Sequence, residues 1–225
     1  MASHLDLEEQ EQLADLKHFW NKYGNLITWL AIVVFGAIGA WNGWVWWQNR
    51  QGAQASALHA ELERAAQAGE VDRVQRALQD LREQYGSTTY AQQGSLLAAQ
   101  TLAQAGKSDD AQAALRWVTD KGGDAGYQAV ARLRLAGLLA DAKKYDEALA
   151  LVTGKLPAEF AGLAADRRGD ILQLQGKKPE ALAAYREALT GLDDRADYRR
   201  LVEVKLAALG GEPPAAASSV GGVSR

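Results

Sequence analysis

The chain has no cysteine, and its three histidines, His4, His18 and His59, all fall in the first 60 positions. The missing cysteines exclude disulfides, thiolate catalysis and cysteine-ligated zinc, and leave the redox state of the compartment open. The position of the histidines denies everything after residue 60 a general-base imidazole, so a Ser-His-Asp or Cys-His site is excluded there. A charge of one sign is also lacking over most of the length. The first 24 residues hold five acids (Asp6, Glu8, Glu9, Glu11, Asp15) against Lys17 and Lys22; taking these from totals of 28 and 25 leaves 23 of each sign in the remainder. A neutral remainder has no electrostatic footprint for nucleic acid, whose binding rests on neutralising phosphates.

Motifs for chemistry are absent as well. The glycine-rich KGGDAG from Lys121 lacks the Lys-Ser/Thr pair of a phosphate loop and any strand before it, and reads as a connection. The pairs Asp109-Asp110 and Asp193-Asp194 fit helix starts, where carboxylates meet free amides, better than metal ligation. No catalytic residue, no cofactor and no metal site is expected.

One long apolar run is present. No charged residue lies between Lys22 and Arg50, and LITWLAIVVFGAIGAWNGWVWW fills residues 26–47. As a helix, the uncharged stretch is about 40 Å long, more than a hydrocarbon core of about 30 Å requires. Trp20, Tyr23 and Trp29 stand near one end; Trp41, Trp44, Trp46 and Trp47 stand near the other, as at membrane–water boundaries. A buried helix of a soluble protein would need equally apolar partners, and none follows. A cleavable signal is disfavoured by the length of the run and the acidic segment before it. The reading is a single-pass anchor over 25–48 in the lipid bilayer. Within it Gly36, Gly39 and Gly43 share a face, and Asn42 adds a hydrogen-bonding group, a pattern suited to packing against another membrane helix.

Before the anchor, residues 5–23 read as an amphipathic helix with Leu13, Leu16, Trp20 and Tyr23 on one side, ending at Gly24-Asn25 or running on into the anchor. Lys17 and Lys22 in front, against Arg50 alone behind, favour a cytoplasmic N-terminus.

After Arg50 the text becomes alanine-, leucine- and glutamine-rich. AQAGEVDRVQRAL, AQAGKSDDAQAAL, ADAKKYDEALAL and LQGKKPEALAAY align, with turn positions Gly69, Gly106, Lys143 and Gly176 spaced 37, 37 and 33 residues apart. That period with helix–turn–helix texture is the signature of tetratricopeptide-type repeats. Second helices carry Val74, Ala111, Ala148 and Ala181 where they press on the first. In the last hairpin, Gly169, Ala181, Tyr185 and Ala188 fill the small, small, aromatic and small positions; earlier units place Ala99 and Ala136 at the first small position and Leu115 and Val152 at the aromatic one. Residues 198–209 read as a terminal helix closing the array. The segment 211–225 reads as disordered. The fold class is therefore all-α, an N-terminal transmembrane helix followed by a tetratricopeptide-like solenoid over 49–210. Its concave face, lined by first helices, should carry Gln93, Gln100, Gln104, Asp141, Asp166, Asp170 and Gln173, with Leu96 and Leu133 between. Such a face is polar and mildly acidic, suited to an extended peptide or a basic surface.

The acidic, glutamine-rich opening EEQEQLADLKHFWNKYGN, the tryptophan-flanked anchor straight after it and the four hairpins together resemble the YfgM-type ancillary subunits of the bacterial Sec translocon. The resemblance implies an inner-membrane protein with a cytoplasmic tail over 1–24 and a periplasmic repeat domain. It also implies association with the SecYEG translocon and with a PpiD-like membrane-anchored chaperone, and a link to the periplasmic chaperone network; on the adaptor reading the repeat domain recruits a chaperone or touches newly translocated, unfolded client proteins. It carries over no catalytic motif, and the tail after Gly210 departs from it. The reading is a non-enzymatic adaptor at the translocon; its alternative is an anchored repeat scaffold in another envelope machine, such as a pilus, secretion or cell-wall complex.

Overall fold

The computed structural model describes residues 7–192 and 197–212, without the side chains of 7–12, 14 and 15. The expected acid pair Asp193-Asp194 and all but two residues of the expected disordered tail lie outside the described residues, as do the acidic side chains of the opening segment. The described residues are all-α. The chain divides into two compact units, one ending at Ala53 and one beginning at Gln54.

The first unit is helix. α1 (Leu7–Gln67) runs through Gly24-Asn25 without a break. The Thr28 hydroxyl donates to the Gly24 carbonyl at 2.8 Å, and the Trp20 indole packs against Gly24, so the weak point in helix propensity is covered by its neighbours. Only 6% of the most apolar window of α1 is buried within the chain. Ile32, Phe35 and Trp41 are all more than half exposed. A core helix of a soluble unit hides such a face, and this one is long and apolar enough to cross a membrane.

The second unit is a stack of hairpins. The end of α1 from residue 54 pairs with α2 (Val71–Tyr85), α3 (Thr89–Gln104) with α4 (Ser108–Lys121), α5 (Ala125–Asp141) with α6 (Tyr145–Thr153), and α7 (Ala161–Leu174) with α8 (Lys178–Gly191). A 3₁₀ turn at Ala158–Phe160, entered through Pro157, leads into α7. α9 (Asp197–Ala208) follows.

Every turn inside a hairpin uses one device. Gly69, Gly106, Lys143 and Gly176 have φ of +69°, +76°, +61° and +77°. At each, the N–H of that residue bonds back to one helix carbonyl and the next N–H to the carbonyl before it, as with Gly176 to Gln173 and Lys177 to Leu172, both at 2.9 Å. This is the Schellman closure, and it satisfies carbonyls that the helix end leaves orphaned. Gly210 repeats it after α9. The second helices then start without side-chain caps: Asp109 and Asp110 lie in the first turn of α4 but cap nothing. Their benefit there is to the helix dipole.

The positions expected to press the helices together do so. Val74, Ala111, Ala148 and Ala181 are fully buried. At Gly169 an added Cβ would lie 2.5 Å from Cε1 of the fully buried Tyr185 ring, so α7 approaches α8 closely only because that side chain is missing. A continuous apolar core joins the first three hairpins, and a second lies under α7, α8 and α9. Arg82 ties the first hairpin to the second, donating to Ser95 Oγ and the Ala114 carbonyl at 3.0 Å and lying 4.8 Å over the Trp117 ring. Burial pulls its guanidinium down to about 10.

Candidate protein-binding face

The first helices α3, α5 and α7 stand side by side and leave a depression of about 470 Å³ between them. Its walls include Gln100 and Gln104 of α3, Asp141 of α5 and Arg167 of α7, together with Arg134, Gly137 and Leu115. Three of the seven expected face residues are thus brought together: Gln100, Gln104 and Asp141, all exposed. Gln93, farther back on α3, is half-buried and donates through Nε2 to the Tyr127 hydroxyl at 2.6 Å, linking α3 to α5.

Asp166, Asp170 and Gln173 are drawn elsewhere. Asp166 is only 1% exposed. Lys205 of α9 places Nζ 2.9 Å from both its carboxylate oxygens and 2.8 and 3.0 Å from those of Asp170. The Tyr198 hydroxyl donates to Asp166, and the Tyr185 hydroxyl lies 2.9 Å from both Asp170 Oδ1 and Gln173 Oε1. Burial, then the adjoining carboxylates, pushes both phenols up from the ordinary tyrosine value. Only Gln173 of the three is exposed. The two aspartates seat the terminal helix, and Lys205 meets one of their two negative charges.

That pairing changes the balance of charge on the face. The expected character was mildly acidic; with Asp166 and Asp170 engaged by Lys205, the charges that line the depression are Arg134 and Arg167 against Asp141. Arg134 is exposed and donates to the Leu96 carbonyl at 3.3 Å, and among the described residues no carboxylate lies within 4 Å of it. Arg167 has one, Asp170, at 3.6 Å. Both arginines also line a second depression of about 200 Å³ whose other walls are Val130, Leu133, Phe160, Leu163 and Tyr198. The sequence held a sign of this pair. Arg134 and Arg167 are 33 residues apart, each two positions before the small residue of its helix, Ala136 and Gly169. Equivalent places on neighbouring first helices of a stack lie next to one another. In the anchor, Gly36, Gly39, Asn42 and Gly43 are exposed along α1, and a Cβ added at any of the three glycines would meet nothing within 4 Å.

The arrangement can hold a polypeptide. Nothing in the depression pairs a nucleophile with a base, and its polar groups are amides and charges suited to gripping. Comparison with known proteins agrees with the architecture. The sequence profile of the tetratricopeptide repeat-like domain matches residues 17–211. The protein named "Ancillary SecYEG translocon subunit" from Neisseria gonorrhoeae (strain ATCC 700825 / FA 1090) is 35% identical over 214 residues, which cover 93% of this chain and the whole of the relative. With a profile spanning most of its length and a relative matched end to end, the chain belongs to the tetratricopeptide repeat-like domain family.

Proposed function

We propose that this chain is a non-catalytic ancillary subunit of the SecYEG translocon, anchored in the inner membrane through α1. The observation that carries the reading is one chain uniting a helix long and apolar enough to cross a membrane with a tetratricopeptide-like unit, matched over 93% of its length by a relative bearing that name. The N-terminus faces the cytoplasm and the repeat unit the periplasm, supported by Lys17 and Lys22 ahead of the anchor against Arg50 behind it. There the repeat unit links the translocon to a PpiD-like membrane-anchored chaperone and meets newly translocated chains. Tethering beside the translocon makes individually weak contacts effective, because each encounter becomes intramolecular. The anchor docks on another membrane helix through Gly36, Gly39 and Gly43, with Asn42 as hydrogen-bonding partner; its glycine face is unobstructed by the chain's own side chains.

The test is mild-detergent purification of the tagged full-length protein, with its companions identified by mass spectrometry. Translocon subunits together with a periplasmic membrane-anchored chaperone in stoichiometric amounts are the expected result. A Gly39→Ile variant, whose Cβ meets no atom of its own chain within 4 Å, should lose translocon subunits while the repeat unit keeps its fold. Recovery of another envelope machine in their place would overturn the translocon assignment and leave the architecture standing.

A further inference from the structure

The two depressions on the first-helix face are not equivalent, and what joins them is the pair Arg134 and Arg167. On one side of the pair the walls are Gln100, Gln104 and Asp141; on the other they are Leu133, Phe160 and Leu163. The guanidinium of Arg167 lies over Gly137 of α5, 3.6 Å from where a Cβ would stand, so α5 leaves room for it to lie across the groove. Its one carboxylate neighbour, Asp170, already receives Lys205 at 2.8 Å and the Tyr185 hydroxyl at 2.9 Å. Arg134 spends one donor on a carbonyl. A guanidinium has five N–H donors in a planar fork, so both residues keep donors for an incoming group.

We infer that this groove receives an extended segment of a partner protein in which an Asp or Glu side chain adjoins a bulky apolar residue. This rests on the adaptor reading above and names the chemistry its repeat unit selects. Charge complementarity points to the acidic element, since two guanidiniums line the groove and only Asp141 stands against them among its walls. The apolar element follows from the depression of about 200 Å³ that shares those arginines and is otherwise walled by Val130, Leu133, Phe160, Leu163 and Tyr198. The extended conformation follows from the rest. From α3 to α7 the groove crosses two helix spacings, about 16–20 Å, which an extended chain covers in about five or six residues. A segment without helix or sheet bonds of its own needs partners for its backbone, and the side-chain amides of Gln100 and Gln104 supply both donor and acceptor.

Binding of a fluorescein-labelled, C-terminally amidated peptide to the full-length protein in mild detergent, read by anisotropy, tests the assignment. The peptide carries adjoining aspartate, glutamate and phenylalanine in a glycine–serine background. Replacing its acids by asparagine and glutamine should weaken binding by about tenfold or more, the loss of a charge-assisted bond. Replacing its phenylalanine by serine should weaken it independently. In the protein, Arg134→Gln with Arg167→Gln should abolish the preference for the acidic peptide while the thermal melt is kept, because neither arginine is buried and neither makes a bond on which a helix depends. Equal affinity for the acidic and amide peptides, or undiminished binding to the doubly substituted protein, overturns the inference. So does binding that appears only when the peptide's C-terminus is a free carboxylate, since the site would then read a chain end. Because the adaptor reading is judged by what co-purifies, a peptide result of that kind with translocon subunits still recovered overturns the groove alone.

Discussion

Replacing Lys205 by methionine keeps the length and packing of the side chain and removes the cation between two carboxylates. Asp166 is 1% exposed, and its remaining donor is the Tyr198 hydroxyl. Removing one partner of a buried pair typically costs about 3–5 kcal/mol, because a buried charge is left uncompensated. The lower end applies, since the Lys205 side chain is 24% exposed and the Asp170 side chain 25%, so water reaches part of the cluster. A loss of about 3 kcal/mol is therefore expected. In a unit of this size that corresponds to a fall in Tm of roughly 6–12 °C. Amide hydrogen exchange localises the effect: opening of α9 should quicken by about two decades, while the first two hairpins change least, since each element of a stack contacts its neighbours. The companion variant Asp166→Asn with Lys205→Met leaves a neutral amide that still accepts from Tyr198, and should recover most of the loss. The reasoning fails if Lys205→Met melts within about 1 kcal/mol of the parent, or if the double substitution is no better than the single one.

Two further outcomes follow from the same geometry. Lys143 holds φ at +61° where the other three hairpins use glycine. A side chain in that conformation costs roughly 1–2 kcal/mol, and glycine's extra freedom in the unfolded chain takes back about 0.5–1, so Lys143→Gly should stabilise by about 0.5–1 kcal/mol. A denaturation midpoint that rises with unchanged m-value is the check. Tyr185 and Tyr198 are both pushed up from the ordinary tyrosine value by burial and by the adjoining carboxylates. Their neutral forms are favoured by folding, so the stability they contribute is intact below about pH 10 and is lost as pH rises from there toward their raised values, by up to about 1.4 kcal/mol per pH unit for each. Alkaline unfolding should be shallower in Tyr185→Phe with Tyr198→Phe, and an unchanged slope would count against the assigned cause.

Much of this architecture is written in local chemistry. The turn residues were legible because a left-handed closure needs glycine or a tolerated exception, and the exception, Lys143, sits in the same register as the glycines. Gly169 facing Tyr185 was legible because a small residue and a ring at fixed places in one hairpin compensate each other's volume. The continuity of α1 was not, since Gly24-Asn25 is a plausible stop; what carries the helix through is cover from Trp20 and Thr28, side chains within one turn of it. Of the expected face, Gln100, Gln104 and Asp141 fell together because they lie in register on adjacent helices. Asp166 and Asp170 obeyed the same register and yet left the open surface. Their fate was decided by Lys205, whose contacts with them span 39 and 35 residues, and no period in the sequence announces which polar residue a terminal helix will cover.

That one contact does two jobs that a repeat array ordinarily separates. An end helix is needed to shield the apolar side of the last hairpin, and α9 does so with Val202 and Leu206, both fully buried. Had its polar edge been neutral, Asp166 and Asp170 would have remained as negative charge beside Arg167 and offset it. By bringing Lys205 onto both carboxylates, closure of the core also frees Arg167 from all but a 3.6 Å contact with Asp170. Two guanidiniums stand against one carboxylate among the walls of the depression, and closing the array supplies the cation that keeps Asp166 and Asp170 from outweighing them. The charge of the face therefore depends on the seating of α9, and a change that unseats this helix weakens the grip on an acidic segment without touching a residue that contacts it.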